Sequence, residues 1–317
     1  MLQGRLRTTR HMAAAAFGSE RDWFSDMVIS ALCGGIGNQM FQYAAGRRLA
    51  ERRGVALKLC FVSYRGNTPR EYELGVFNIR EEFASDDEVA SLTLSQTGLA
   101  RKVIGRISGK AQEIPATYVK EKYFHFDPSI LDLKGSVYLE GYWQSEKYFS
   151  DISQIIRKEF EIRHSPDDRN RLIAESIVAC ESASIHVRRG DYITDAETSR
   201  VHGVCSPEYY DEAMHYIGER VNAPHFFIFS DDPSWALDHI RTDFPSTVLD
   251  HNGPGHAYED MRLMSLCKHH IIANSSFSWW GAWLSGNPEK MVIAPSRWFR
   301  TGSYDTRDLI PEGWIRI

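Results

Sequence analysis

MVISALCGGIGNQMFQYAAGRRLAERR, residues 27–53, begins with a short apolar run, continues through a cluster of glycines and ends in a longer segment with helical periodicity. The β-branched run at 28–32 predicts a strand, and the segment from 39 to about 53 predicts a helix. The apolar run at 55–62 predicts the next strand. Strand, helix and strand in succession favour a parallel sheet with helices on its faces.

The same alternation returns in the C-terminal half, after a less regular segment at 65–135. Candidate helices lie near 85–94 and 145–160. From residue 165 onward the pattern predicts, in order, helix 167–180, strand 182–188, helix 206–221, strand 225–230, helix 233–242, strand 246–249, helix 257–267, strand 269–273, helix 278–285 and strand 290–294. We therefore predict an α/β protein with two doubly wound halves.

The chain has 317 residues, more than the roughly 250–300 at which a single hydrophobic core stops growing. We expect an N-terminal Rossmann-like domain at 27–160 and a C-terminal one at 161–317. Residues 1–26 show no strand or long helix pattern. We interpret them as a mobile leader or tag.

A net charge of −5 gives no global attraction to polyanions, so nucleic acid is not an expected partner and any anion site must be built locally. The five cysteines are odd in number and contain no C-x-x-C pair, which argues against a disulfide framework and a zinc knuckle. They indicate reduced thiols in a cytosol. No stretch approaches the roughly 18 apolar residues of a membrane-spanning helix.

SIHVRRGDY, residues 184–192, places His186 and Arg188 on the same face at the carboxyl end of a predicted strand. Ligands of open α/β sheets bind at such ends, and a guanidinium suits a phosphate. The structural alternative is an ion pair of Arg189 with Asp191 beside a histidine whose hydrogen bonds are satisfied.

HFFIFSDD, residues 225–232, ends a buried strand with two carboxylates that could hold a guanine edge or ribose hydroxyls. Asp232 stands before Pro233 and equally fits a helix N-cap. One division of labour leaves Asp231 free to bind while Asp232 caps.

NSSFSWWGAWL, residues 274–284, follows another predicted strand. Its hydroxyls and free backbone N–H groups at a helix start could form an anion site. Capping and packing are the alternative, and we expect Trp279, Trp280 and Trp283 in the core. Asn274-Ser275-Ser276 matches a glycosylation sequon, which we interpret as a false positive because a glycan would fill the proposed pocket.

The loop from Gly34 to Gln39 lacks the third glycine of a dinucleotide fingerprint, and the strand at 55–62 does not end in the acidic residue that would bind ribose. A nicotinamide-dependent dehydrogenase is therefore disfavoured. We expect the glycines to allow close approach to a ligand, with Asn38 and Gln39 offering amides. No aspartates are spaced D-x-D for a metal-bound diphosphate, so no metal cofactor is expected.

Together these segments resemble the α-1,2-fucosyltransferases of glycosyltransferase family eleven. The matching stretches are GGIGNQMFQYA from Gly34, HVRRGDY from His186, FSDD from Phe229 and NSSFSWWGAWL from Asn274. The resemblance runs through 28–295. It implies a GT-B fold with two facing Rossmann-like domains, the N-terminal one on the acceptor side and the C-terminal one binding GDP-fucose. It also implies metal-independent, inverting transfer of fucose from GDP-fucose to the 2-hydroxyl of a terminal galactose on a glycan.

Carried over by position, the resemblance implies roles for the motif residues. Arg188 and Arg189 would clamp the diphosphate beside His186. Apart from the resemblance, the position of Asp191 three residues after Arg188 makes it a candidate for the general base or for orienting an arginine; Glu197, His202 and Glu259 are other candidates for the base. The implied substrate contacts are Gly37, Asn38, Gln39, Asp231, Asp232, Ser275, Ser276 and Phe277.

Animal members of that family carry an N-terminal membrane anchor, and none is visible in this sequence. We therefore expect a cytoplasmic enzyme of bacterial type, or alternatively a catalytic domain cut from an anchored protein. A lipid-linked acceptor would bring peripheral membrane association. Two other functions stay open, namely a GT-B transferase that uses another nucleotide sugar and a catalytically silent nucleotide- or sugar-binding protein.

Overall fold

The structure is a computed structural model that describes residues 26–61, 71–93 and 118–317. Apart from Asp26, the predicted leader lies outside the described residues. Within this part of the chain the strands form a four-stranded and a six-stranded sheet. All strand pairings in both sheets are parallel, as the alternation of strands and helices predicted.

The N-terminal sheet has the order β2-β1-β4-β3. Its strands are β1 (Met27–Leu32), β2 (Ala56–Phe61), β3 (Tyr118–Lys120) and β4 (Val137–Glu140). The described helices of this half are α1 (Ile36–Arg53), α2 (Asp86–Thr93) and α3 (Ser153–Glu159). Helix α1 starts three residues before the predicted position, because Gly35 is extended and serves as its N-cap.

The C-terminal sheet has the order β10-β9-β8-β5-β6-β7. Its strands are β5 (Ser182–Val187), β6 (His225–Ser230), β7 (Ser246–Leu249), β8 (His269–Ile271), β9 (Val292–Ala294) and β10 (Ile315–Arg316). Its helices are α4 (Asp168–Val178), α5 (Gly190–Thr194), α6 (Ala196–Val201), α7 (Pro207–Gly218), α8 (Pro233–His239), α9 (Ala257–Leu266) and α10 (Ser276–Leu284).

Short elements account for most differences from the predicted pattern. Strands β3, β4 and β10 have two to four residues and are not among the predicted strands. The candidate helix at 145–160 is divided into two 3-10 turns followed by α3. Helices α5 and α6 fill the segment after β5, for which no element was predicted.

The two halves meet through α1 and α10. The Phe41 ring lies 4.5 Å from Trp279 and 4.9 Å from Trp280, measured between ring centroids. Trp279, Trp280 and Trp283 are buried, which confirms that they belong to the core. Two parallel α/β sheets joined in this way form the GT-B type of architecture that the sequence predicted.

The five cysteines are free thiols, as the sequence predicted. No helix in the described parts of the chain is both long enough and apolar enough to cross a membrane.

Candidate active site at the carboxyl ends of β5 and β8

In the C-terminal sheet the order in which the chain adds strands reverses between β5 and β8. From β5 the chain adds β6 and β7 on one side, whereas β8, β9 and β10 lie on the other. Ligands of open α/β sheets bind outside the carboxyl ends of the strands at such a switch point. The segments 188–191 and 274–277 follow β5 and β8, so two of the predicted motifs meet at this point.

Arg188 lies between two carboxylates. Its Nη2 donates to Asp191 Oδ1 at 2.7 Å, and its Nη1 is 3.0 Å from Asp231 Oδ2. The structural alternative for this motif paired Asp191 with Arg189; the structure pairs it with Arg188 instead. The guanidinium is partly buried and held on two sides, so its direction is fixed before any ligand arrives.

Arg189 lies on the indole of Trp235, with its Cζ 3.8 Å from the ring centroid. Its Nε is 3.5 Å from Asp232 Oδ2 and is buried without a hydrogen-bond partner in the described structure. Stacking of this kind orients a guanidinium while leaving its N–H groups available.

The two aspartates after β6 are both engaged within the protein. Asp232 accepts a hydrogen bond from Trp235 N at 3.1 Å, so its predicted role as the N-cap of α8 is confirmed. Asp231 is not free, contrary to the division expected: it accepts from Arg189 N at 2.8 Å and pairs with Arg188. A Cβ on Gly190 would lie 2.6 Å from Asp231 Oδ2, so glycine keeps this contact possible.

His186 is 5% exposed, and its Nδ1 has no hydrogen-bond partner in the part of the chain that the structure describes. The histidine of the structural alternative had its hydrogen bonds satisfied; His186 does not. Burial, with a smaller contribution from the Arg188 charge, lowers the pKa of His186 to about 3, so the ring is neutral at pH 7. Its ring centroid is 5.2 Å from that of Phe277, at the start of α10.

Helix α10 begins with Ser275 as an extended N-cap residue, whose side chain makes no capping hydrogen bond. The N–H groups of a helix's first turn have no intrahelical acceptor and carry the positive end of the helix dipole. Asn274 is buried and donates from Nδ2 to the carbonyls of His202 and Trp298. A glycan could not be attached to this side chain in the folded protein, in agreement with the interpretation of the sequon.

The glycine loop before α1 contacts α10 itself. A Cβ on Gly37 would lie 2.6 Å from both the Phe277 N and the Ser276 C atoms. Asn38 Oδ1 accepts from Ser276 Oγ at 2.7 Å and from Gln144 Nε2 at 2.8 Å. We expected the glycines of this loop to allow a ligand to come close; at Gly37 it is the backbone of α10 that comes close instead.

Gln39 is fully buried. Its amide donates to the carbonyls of Gly34 and Glu71 at 2.9 and 2.8 Å and accepts from Glu73 N at 3.0 Å. From the sequence we expect this amide to contact a ligand, whereas in the structure it binds the backbone of the segment at 71–73.

A cavity of about 380 Å³ lies beside the cluster and was not predicted. We call it the arginine cavity; its wall includes His202, Cys205, Tyr209, Asn274, Arg297 and Arg300. Tyr192 connects it to the cluster, because its ring lies 5.5 Å from Arg188 Cζ and stacks on His202 at 4.8 Å. No sequence motif marked Arg297 or Arg300.

The other three candidates for the general base lie in different surroundings. His202 lines the arginine cavity, and burial lowers its pKa below the usual value. Glu259 is buried and paired with Arg262 at 2.8 Å, which makes it unsuitable as a free proton acceptor. Glu197 falls within α6, but its side chain is not among the described ones.

Comparison with known proteins gives one consistent family. The model of glycosyl transferase family 11 matches residues 101–317. An alpha-1,2-colitosyltransferase of Escherichia coli is 35% identical over 92% of this chain and 99% of that protein. The O-antigen biosynthesis glycosyltransferase WbnK of Escherichia coli is 33% identical over 91% of this chain and 99% of its own length.

A galactoside alpha-(1,2)-fucosyltransferase 1 from Rattus norvegicus is 29% identical over 80% of this chain and 62% of that protein. The family match spans the whole C-terminal sheet, and the two bacterial relatives match nearly end to end. The chain therefore belongs to glycosyl transferase family 11 and is a glycosyltransferase.

Proposed function

We propose that this glycosyltransferase moves L-fucose from GDP-fucose to the 2-hydroxyl of a terminal galactose, with inversion at the anomeric carbon and without a metal ion. The observation that carries the proposal is the cluster at the β5–β8 switch point. Two oriented guanidinium groups, a helix start and the unpartnered His186 Nδ1 lie together there. The arrangement suits an anionic, hydrogen-bonding ligand such as a nucleoside diphosphate.

In this proposal Arg188, Arg189 and the α10 start stabilise the charge that develops on the diphosphate. The acceptor oxygen forms a bond to the anomeric carbon while the bond from that carbon to the GDP oxygen breaks. Two guanidiniums face three carboxylates in the cluster, Asp191, Asp231 and Asp232. The donor phosphates must therefore compete with Asp191 and Asp231 for the N–H groups of Arg188. The start of α10 supplies the remaining positive potential.

The acceptor proton needs a base. Asp191 Oδ1 is 2.7 Å from Arg188 Nη2, so we assign Asp191 the positioning of Arg188. His202 is the better base, because its ring is neutral near pH 7 and it lines an open cavity beside the cluster. The position of Asp191 in the sequence favours Asp191, so the two assignments are tested against each other below.

A second donor is favoured by one finding, the 35% identity to an alpha-1,2-colitosyltransferase. Colitose is the 3-deoxy counterpart of L-fucose, so both sugars fit the same transfer chemistry and differ by one hydroxyl. A site that hydrogen-bonds this hydroxyl would reject the deoxy sugar strongly, whereas an apolar site would discriminate only weakly.

The test incubates wild-type protein and Arg188→Ala with GDP-fucose or GDP-colitose and lactose, in EDTA and in Mg²⁺, and measures GDP release and glycosylated product. We expect fucosyllactose at equal rates in EDTA and Mg²⁺, and a loss of about 10²–10³ in the variant. Arg241→Ala is the matched control, since Arg241 is exposed and forms no ion pair with any described residue.

Each other result reassigns the function. Transfer from GDP-colitose but not from GDP-fucose would identify GDP-colitose as the donor. Activity only in Mg²⁺ would refute the metal-free mechanism. Tight GDP binding without release of GDP from any donor would identify a silent binding protein.

A further inference from the structure

The arginine cavity is basic, although the chain as a whole carries a net charge of −5. Arg297 and Arg300 line its wall, and neither forms an ion pair with any residue that the structure describes. Among its described residues the wall contains no Asp or Glu side chain, and it includes Ile317, the last residue of the sequence. Burial raises the pKa of the Cys205 thiol to about 11, so this side chain adds no negative charge.

The backbone at Arg300 is fixed by the segment that ends α6. Arg300 N donates to Val201 O at 2.9 Å, which ties its segment to the end of α6. Gly203 has a φ of +66°, and a Cβ added to it would lie 3.7 Å from the Arg300 Cβ, so the loop at Gly203 packs against Arg300. Phe299 packs on His202 with ring centroids 5.2 Å apart.

The cavity also lies on the far side of the cluster from the loop that follows β6. Its lining follows β5, β8 and β9, whereas Asp231 and Asp232 follow β6, on the opposite side of β5. A donor whose nucleotide lies over β5 and β6 leaves this side open to the second substrate. At about 380 Å³ the space suits a small ligand of one or two sugar units.

We propose that the arginine cavity is the acceptor site and that it selects glycans carrying an anionic group within one or two sugars of the accepting galactose. Arg297 and Arg300 bind that group, and His202 faces the accepting sugar. The inference rests on the proposed transferase function but adds the acceptor's charge, which no relative's name states. A uronate in the glycan and a diphosphate that links it to a lipid carrier offer the same chemistry.

The experiment measures binding, so that it does not depend on turnover. Wild-type protein loaded with GDP is titrated calorimetrically with three soluble probes that share a terminal galactose: galactosyl-N-acetylglucosamine, galactosyl-glucuronate and galactosyl-N-acetylglucosamine diphosphate. We expect at least one acidic probe to bind about tenfold more tightly than the neutral one, as charge-assisted hydrogen bonds imply. The acidic probe that gains affinity identifies the source of the anion.

Arg297→Gln combined with Arg300→Gln should remove this preference while GDP affinity stays unchanged, and Arg241→Gln should retain it. Equal affinity for all three probes, or a preference that survives in the double variant, would overturn the inference. Transfer of fucose to neutral lactose is scored separately. A transferase without the anionic preference disproves only the inference, whereas absence of transfer with the preference intact disproves only the proposed activity.

Discussion

The two sheets each present a strand, a polar loop and a helix start at the centre of the molecule, and they use their polar groups in opposite ways. At the β1–α1 junction the amides of Asn38, Gln39 and Gln42 are hydrogen-bonded inside the protein. At the β5 and β8 ends, His186 Nδ1, Arg189 Nε and His202 Nδ1 are buried without partners in the described structure. Buried polar groups are normally paired, so unpaired ones clustered beside a cavity indicate a place for a ligand.

The two junctions therefore show that a strand–loop–helix motif can serve a structural or a chemical purpose. The N-terminal junction acts as a joint that fixes α1 against α10. In the proposed function the C-terminal junction supplies the groups that meet substrates. Substitutions in the joint should therefore change mainly stability, and substitutions in the cluster should change mainly catalysis.

The largest expected effect is in the cluster. His202→Gln removes the proposed base and should lower kcat by about 10²–10⁴ while the unfolding midpoint in urea stays close to wild type. Because burial lowers the pKa of His202, the acid limb of the wild-type kcat/KM profile should lie below pH 6.5, and the variant should lack it.

Asp191→Asn is the companion variant. If Asp191 only orients Arg188, the substitution raises the KM for the donor more than it lowers kcat and keeps the acid limb. Loss of the acid limb in Asp191→Asn, with His202→Gln retaining it, would return the role of base to Asp191.

The next largest effect tests the joint. Gly37→Ala places a Cβ 2.6 Å from the Phe277 N and Ser276 C atoms, which belong to backbone and cannot move independently. We expect a loss of about 1–3 kcal/mol in the free energy of unfolding, since overpacking forces such shifts. Displacement of the α10 start should also lower turnover by up to about 10².

Gly286→Ala is the control for Gly37→Ala, because a Cβ there would have no heavy atom within 4 Å. Urea unfolding and steady-state rates of both variants give the comparison. Equal stability of the two would mean that the junction is loosely packed and that its glycines serve another purpose.

Elements with a clear hydrophobic periodicity could be predicted from the sequence. The pattern predicted β5, β6, α4 and α9 within a few residues and brought the segments after β5 and β8 to the same site. The short strands β3 and β4 gave no comparable signal. Side-chain partners could not be predicted either, because the pairing of Arg188 with Asp231 joins residues 43 positions apart that only the parallel register of β5 and β6 makes neighbours.

Contacts between distant parts of the sequence also explain why the role of the Gln39 amide was misinterpreted and why the arginine cavity was missed. An asparagine or glutamine at a helix start has the same sequence pattern whether it faces a ligand or a neighbouring loop, and Gln39 faces residues 71–73. The arginine cavity combines loop residues around His202 with residues around Arg300, nearly a hundred positions later. No local periodicity connects these two segments.

A further comparison separates Gln39 from Ser275. Gln39→Leu would leave the Glu73 N–H and two carbonyls without their partner, and each unsatisfied buried group costs about 1–3 kcal/mol. We expect a clear loss of thermal stability with unchanged affinity for GDP. Ser275→Ala removes a hydroxyl that caps nothing in the structure, so it should leave stability unchanged and weaken GDP binding.

Thermal melts in the absence of ligand and calorimetric titration with GDP measure both quantities. The opposite pattern, with Gln39→Leu weakening GDP binding at unchanged stability, would transfer the glutamine from the joint to the binding site.

The smallest effect concerns the pH dependence of stability. The pKa of His186 is about 3 in the folded protein, well below the ordinary value of 6.5 that applies to the unfolded chain. Below pH 6.5 the unfolded chain binds a proton that the folded protein does not, so the stabilising contribution of His186 is complete above pH 6.5 and declines as the pH falls toward 3. The decline approaches about 1.4 kcal/mol per pH unit.

His186→Gln should flatten the dependence of the unfolding free energy on pH between 6.5 and 5 by up to this amount, measured by urea unfolding at several pH values. His164→Gln is the control, because His164 is exposed and its substitution should leave the slope as in wild type. Equal slopes in wild type and His186→Gln would mean that His186 is protonated inside the folded protein. In that case it would add positive charge to the cluster rather than a neutral ring, and the balance of two guanidiniums against three carboxylates would change accordingly.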